Sequence, residues 1–137
     1  MKASPIAHHC VAITLLAAGL SAPARAITPS ELLADYSARA GAAAQPERGQ
    51  RLFTTRGGRE LDLSCSSCHT SVPSRIGTHA LSDKPIPPLA PAFNKERFTD
   101  KSKVERYFRL NCTEVLGREC TAAEKADVLS WLLTFKP

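Results

Sequence analysis

The sequence predicts one small all-α domain, on three observations. Two capping boxes, Thr28–Glu31 and Thr121–Glu124, each open an apolar helical stripe. Apolar residues recur at three- and four-residue spacing through the second half of the chain. No segment alternates apolar and polar residues as a strand would. The 137 residues suffice for one such domain.

The first helix opens at Thr28, with Pro29 suited to its first turn and Glu31 completing the box. Leu32, Leu33 and Tyr36 form its apolar stripe, and Gly41 ends it. A second helical stretch runs from Gln45 through Pro46 to Phe53. Gly49 and Phe53 are four residues apart and share a face. A helical glycine costs about 1 kcal/mol against alanine, which is explicable if another helix crosses closely there. Residues 71–94, with Pro73, Pro85, Pro87, Pro88 and Pro91, read as a long loop with a functional purpose. Thr99 or Asp100 caps a third helix through Val104, Tyr107 and Phe108 to about Asn111, which Asn111-Cys112 closes. In the last helix Val128, Trp131, Leu132 and Phe135 follow at i, i+3, i+4 and i+7. Trp131 and Leu132 suit the Gly49/Phe53 face.

Residues 1–26 read as a cleaved secretory signal and 27–137 as the mature domain. Met1-Lys2 begins a basic n-region, and Val11–Leu20 is apolar but too short to span a bilayer. Ala24-Arg25-Ala26 fits the small-x-small cleavage rule, so the mature chain starts at Ile27. Cys10, preceded by Ala7-His8-His9, does not lie in a lipidation pattern. The expected location is the periplasm, with no stable membrane insertion of the mature chain.

Cys65-Ser66-Ser67-Cys68-His69 is a C-x-x-C-H motif, the attachment signature of haem c. Each thiol can add to a haem vinyl group, and the adjacent histidine supplies the proximal iron ligand. A structural zinc site would need a second C-x-x-C or paired histidines, and neither is present. A redox dithiol would sit in a strand–helix pattern, whereas this motif follows Gly57-Gly58 and a polar loop. A cytochrome c core crosses an N-terminal helix with a C-terminal one at a small residue; Gly49, Phe53 and Trp131 resemble both halves of it.

Cleavage changes three counts. The only methionine, Met1, leaves, so no thioether can close the iron as in an ordinary electron-transfer cytochrome c. Cysteine falls from 5 to 4. With Cys65 and Cys68 on haem, Cys112 and Cys120 are the remaining thiols and should pair in an oxidising compartment. Loss of Lys2 and Arg25 takes the basic residues from 18 to 16 against 13 acids, a formal +3. So weak a charge does not point to nucleic acid. Arg48/Arg51/Arg56/Arg59 and Lys101/Lys103/Arg106/Arg109 are consistent with a basic face for an acidic partner or with solvated helix faces.

Arg109-Leu110-Asn111-Cys112, Val115 through Thr121, Glu124 through Asp127 and Trp131-Leu132 closely resemble the SHP-type, high-spin, oxygen-binding cytochromes c. Lys84-Pro85-Ile86, Ala90-Pro91, Asn94 and Arg97 through Asp100 resemble that family's middle segment. The resemblance implies a cytochrome c-like fold around one covalent haem c, with Asn111 as sixth ligand through its amide oxygen. It also implies that the ferrous form binds oxygen and nitric oxide. Implied electron donors are a dihaem cytochrome c and a membrane cytochrome b. A carboxamide oxygen is a hard, weak-field donor that suits ferric iron better than ferrous.

His79 or a lysine such as Lys84 as sixth ligand would instead make a plain low-spin electron carrier. His79 is equally consistent with a surface or propionate-side histidine, and Lys84 with a propionate partner. A carbonyl of the Pro85–Pro91 loop is expected to orient the second ring nitrogen of His69. Arg106 and Arg109 suit bound gas, propionates or surface ion pairs. Turnover of nitric oxide or peroxide at an open iron is a further option, although no acid–base pair beside it is legible.

Overall fold

The computed structural model describes residues 26–137. Apart from Ala26, the expected signal segment, with Cys10 and Met1, lies outside the described residues. The architecture is helical, as expected: α1 (Pro29–Ala40), α2 (Pro46–Thr54), α3 (Cys65–His69), α4 (Lys101–Leu116) and α5 (Ala122–Leu132).

Both expected capping boxes form. Thr28 Oγ1 accepts from the Glu31 amide at 3.1 Å while the Thr28 amide donates to Glu31 Oε2 at 2.8 Å. The Thr121 amide donates to Glu124 Oε2 at 2.8 Å, and Thr121 Oγ1 accepts from the Glu124 amide at 3.2 Å. Gly41 ends α1 in the left-handed region at φ 64°.

Helix α5 is the centre of the molecule, and α1 and α2 both pack on it. Its burial is nearly continuous from Lys125 to Leu132, Ser130 excepted. Gly49 of α2 lies against the backbone of Asp127 and Val128, where a β-carbon would overlap the Asp127 carbonyl. One turn on, Phe53 meets Trp131 with ring centroids 4.9 Å apart, and Phe135 stands edge-on to Trp131 at 5.3 Å. The expected small-residue crossing is thus present, with the glycine one turn nearer the start of α5 than the Trp131/Leu132 pair. Leu32, Tyr36, Phe98, Leu129 and Leu132 complete the core.

Two expectations need correction. Helix α4 does not close at Asn111-Cys112 but continues to Leu116 and is capped by Gly117 at φ 74°. Nothing between Asn111 and Leu116 breaks a helix, and the next residue able to take a left-handed cap at little cost is Gly117. The long loop also contains a minimal antiparallel pair, β1 (Gly77–Thr78) and β2 (Pro85–Ile86), with Gly77 opposite Ile86. Such a short pair carries too few residues for an alternating pattern. Cys112 and Cys120 form the expected disulfide, with Cα atoms 5.6 Å apart.

Candidate functional site

A cavity of about 1010 Å³ opens between α3 and α4, floored by α2 and α5. Its first wall begins with Ser64, which precedes α3. The Ser64 amide donates to Ser67 Oγ at 3.0 Å, which starts the helical turn carrying Cys65, Cys68 and His69. All three line the cavity. Gly77 presses on the Cys68 carbonyl so tightly that a β-carbon would overlap it. The Ala80 amide donates to Cys68 Sγ at 3.3 Å. The small hairpin is therefore the backing of the C-x-x-C-H turn.

Burial pushes the Cys65 thiol up to about 11. Burial, with the nearby Arg97 charge, pushes the His69 imidazole down to about 4. A neutral imidazole is the form that ligates a metal. The His69 ring packs toward Phe53, centroids 6.3 Å apart. Its Nδ1 is buried and has no hydrogen-bond partner among the described residues. The expected bond to a Pro85–Pro91 carbonyl is thus not formed. Arg97 engages those carbonyls instead, donating from Nε to Pro88 O at 3.0 Å and from an Nη to Pro87 O at 2.8 Å. Asn94 Nδ2 also donates to Pro88 O, at 3.3 Å. Arg97 is the site residue whose role the sequence did not disclose. Its lowered pKa reflects its own burial.

The second wall is α4. Asp100 caps it, accepting from the Lys103 amide at 3.0 Å. Val104, Phe108, Asn111 and Val115 follow at four-, three- and four-residue spacing and all line the cavity. Asn111 is solvent-exposed on this cavity-facing stripe. The disulfide fixes its neighbour Cys112 to the segment entering α5.

His79 lines the cavity too, but from the hairpin that backs α3. Its Nδ1 accepts from the Leu81 amide at 3.3 Å. Lys84 is exposed in the same hairpin, where its carbonyl accepts from the His79 amide at 2.8 Å. His79 and Lys84 thus belong to the structure that carries His69, while Asn111 belongs to a separate wall. Arg109 reaches the cavity lining; Arg106 instead lies over the Tyr107 ring at 4.9 Å. Among the described residues, no three His, Cys, Asp or Glu side chains converge as a metal-ion site. No helix among them is long and apolar enough to cross a membrane.

A family model described as "Domain of unknown function (DUF1924)" matches residues 39–132. The chain is 45% identical over 122 residues to the "Cytochrome c-type protein SHP" of Cereibacter sphaeroides, covering 86% of this chain and 94% of that protein. It is 45% identical over 84 residues to "Cytochrome c''" of Methylophilus methylotrophus, covering 61% of this chain and 57% of the relative. Oxidised SHP, solved as an oxygen-binding cytochrome c, superposes with a TM-score of 0.76 at 43% identity, covering 80% of this chain and 99% of that one. Oxidised cytochrome c'' superposes at 0.72 with 33% identity, covering 80% and 95%. With the C-x-x-C-H turn, the Gly49 crossing and the Cys112–Cys120 disulfide in place, the chain belongs to the SHP-type family of c-type cytochromes, whose cofactor is one covalently bound haem c.

Proposed function

We propose that residues 27–137, exported to the periplasm after cleavage behind Ala26, form a haem domain that accepts an electron and then binds oxygen or nitric oxide. When bound, haem c supplies the redox-active iron and the position a diatomic gas can take. The residues fit that group. Two thiols and the half-buried, neutral imidazole of His69 face one large cavity with apolar walls.

Cys65 and Cys68 would anchor the cofactor, and His69 would hold one face of its iron. Asn111, on the other wall, would be a further ligand to that iron. A neutral carboxamide oxygen suits ferric iron better than ferrous, so its hold would be weaker in the reduced protein. The disulfide at Cys112 would keep the Asn111 side chain close in either state. The observation that carries this reading is that Asn111 lines the cavity from the wall opposite His69, in a domain with no methionine among residues 26–137. Two relatives support it: SHP is described as an oxygen-binding cytochrome c, and a solution structure of cytochrome c'' is described in terms of haem-ligand detachment.

Asn111→Ala tests the reading. The variant should open ferric iron to added anions and leave gas binding by the reduced protein intact. A ferric optical spectrum identical to that of the wild type would refute the ligand assignment. His79 lines the same cavity, and as sixth ligand it would make a plain electron carrier. Carbon monoxide added to the reduced protein separates the two, because a six-coordinate carrier shows no spectral change. A dihaem cytochrome c and a membrane cytochrome b are the proposed electron donors. The basic run Arg48/Arg51/Arg56/Arg59, which begins on α2 and continues past its end, and the basic run on α4 offer an attractive field for an acidic partner.

A further inference from the structure

Helix α4 carries Asn111 but contributes little to the core: of its sixteen residues only Cys112 and Val115 are buried. Its position over the cavity therefore depends on a few specific ties. One is the disulfide beside Asn111. A second is the ion pair of Lys101, at the start of α4, with Asp35 of α1 at 3.0 Å, and a third is an ionic cluster six residues before Asn111.

That cluster centres on Glu105. Lys125 of α5, only 5% exposed, donates from Nζ to Glu105 Oε2 at 2.6 Å. Arg39 of α1 donates to Glu105 Oε1 at 3.0 Å. The Lys125 ammonium also stands 5.8 Å from the ring centroids of both Tyr36 and Phe108. Those two rings meet edge to face at 6.0 Å. Three helices thus converge on one carboxylate. Burial alone would raise the Glu105 pKa, but the Lys125 and Arg39 bonds outweigh it and keep the carboxylate charged.

A buried ammonium is an expensive way to join helices, since apolar replacements of buried ion pairs are often neutral or stabilising. What an ion pair adds is direction. An apolar contact tolerates sliding and rotation, whereas a lysine with one carboxylate acceptor fixes both. Asn111 lies about 9 Å along the α4 axis from Glu105. Phe108, the ring touching the cluster, is midway between them and lines the cavity.

We propose that Glu105, Lys125 and Arg39 are positioning residues: they set the height and rotation of α4 over the cavity, and so how firmly the Asn111 carboxamide is held at the haem iron. This inference rests on Asn111 being the distal ligand.

The experiment uses the ferric holoprotein and stopped-flow binding of azide. It compares wild type, Glu105→Gln, Lys125→Met, Asn111→Ala and the double variant Asn111→Ala/Glu105→Gln. Glu105→Gln and Lys125→Met should each bind azide about ten-fold faster than wild type, while Glu105→Gln in the Asn111→Ala background changes the rate by no more than about two-fold. Equal acceleration in both backgrounds would mean general loosening and would overturn the proposal. If Asn111→Ala accelerates binding and neither clamp variant does, the clamp alone fails. Should Asn111→Ala leave the rate unchanged, the ligand reading fails and takes the clamp with it. If Glu105→Gln does not accumulate as holoprotein, Arg39→Gln replaces it in both backgrounds, because the Arg39 side chain is half exposed.

Discussion

Gly49 of α2 and Asp127 of α5 form a joint in which the backbone of one helix rests directly on that of the other. The Asp127 side chain, 2% exposed, completes it from the opposite direction. It accepts the Gln45 amide at 2.7 Å, which caps α2 without help from the Gln45 side chain, and it pairs with Arg48. One residue thereby fixes both the start of α2 and its crossing point.

Gly49→Ala should therefore cost about 2–3 kcal/mol, because the added methyl must force two backbones apart. Gly41→Ala should cost only about 1 kcal/mol, since Gly41 has open space around it and loses only its ease at positive φ. Urea denaturation of the holoprotein compares the two. Equal midpoints would mean that the crossing is not as tight as its geometry.

What was legible in the sequence follows from range. Capping boxes and the Val128, Trp131, Leu132 spacing are local patterns, and both match the observed helices. Phe135, expected on the same helical stripe, lies beyond the end of α5 at Leu132 and reaches Trp131 from the following segment. The Gly49 joint was legible because an interior glycine is costly without a close neighbour. The C-x-x-C-H turn was legible because covalent chemistry imposes a spacing. The end of α4 was misread because Asn111-Cys112 resembles a stop, although the left-handed cap is supplied by Gly117. Arg97 and the Glu105 cluster were not legible, because their partners lie on other elements: Pro87 and Pro88 for the one, Arg39 and Lys125 for the other.

The disulfide closes a short separation of 8 residues, for which chain entropy predicts about 2–3 kcal/mol. Replacing both Cys112 and Cys120 with serine should lower stability by that amount. The same pair should also admit azide faster to ferric haem, since Cys112 adjoins Asn111. Denaturation and azide kinetics on one preparation check both effects. Lost stability with unchanged azide kinetics would make the bridge a staple only.

Glu124 gives α5 an acid-sensitive start. Arg118 donates to its carboxylate at 2.8 and 2.6 Å and, with the Thr121 amide, holds it down at about 2. A carboxyl depressed in the folded state stabilises above its unfolded value, here 4.5, and that stability is lost as pH falls toward 2. The pair is partly exposed, so solvent screening limits its worth to about 1 kcal/mol. Glu124→Gln should lower the melting temperature at pH 7 and flatten its fall between pH 5 and 2. An unchanged acid limb would assign that limb to other carboxylates.

The hairpin behind α3 makes a prediction about haem attachment. Gly77 and the Ala80 amide hold Cys68 by its carbonyl and its sulfur, while Cys65 is packed against the core. Each thiol therefore has its own support, and each can form its bond without the other. Cys65→Ala and Cys68→Ala should each retain haem through one thioether, visible as a red-shifted α-band in the pyridine haemochrome relative to wild type. The double variant should lose all haem to acidified butanone, whereas the single variants should not. Haem that resists extraction from the double variant would show that some other side chain holds it, and the role given to the C-x-x-C-H turn would have to be abandoned.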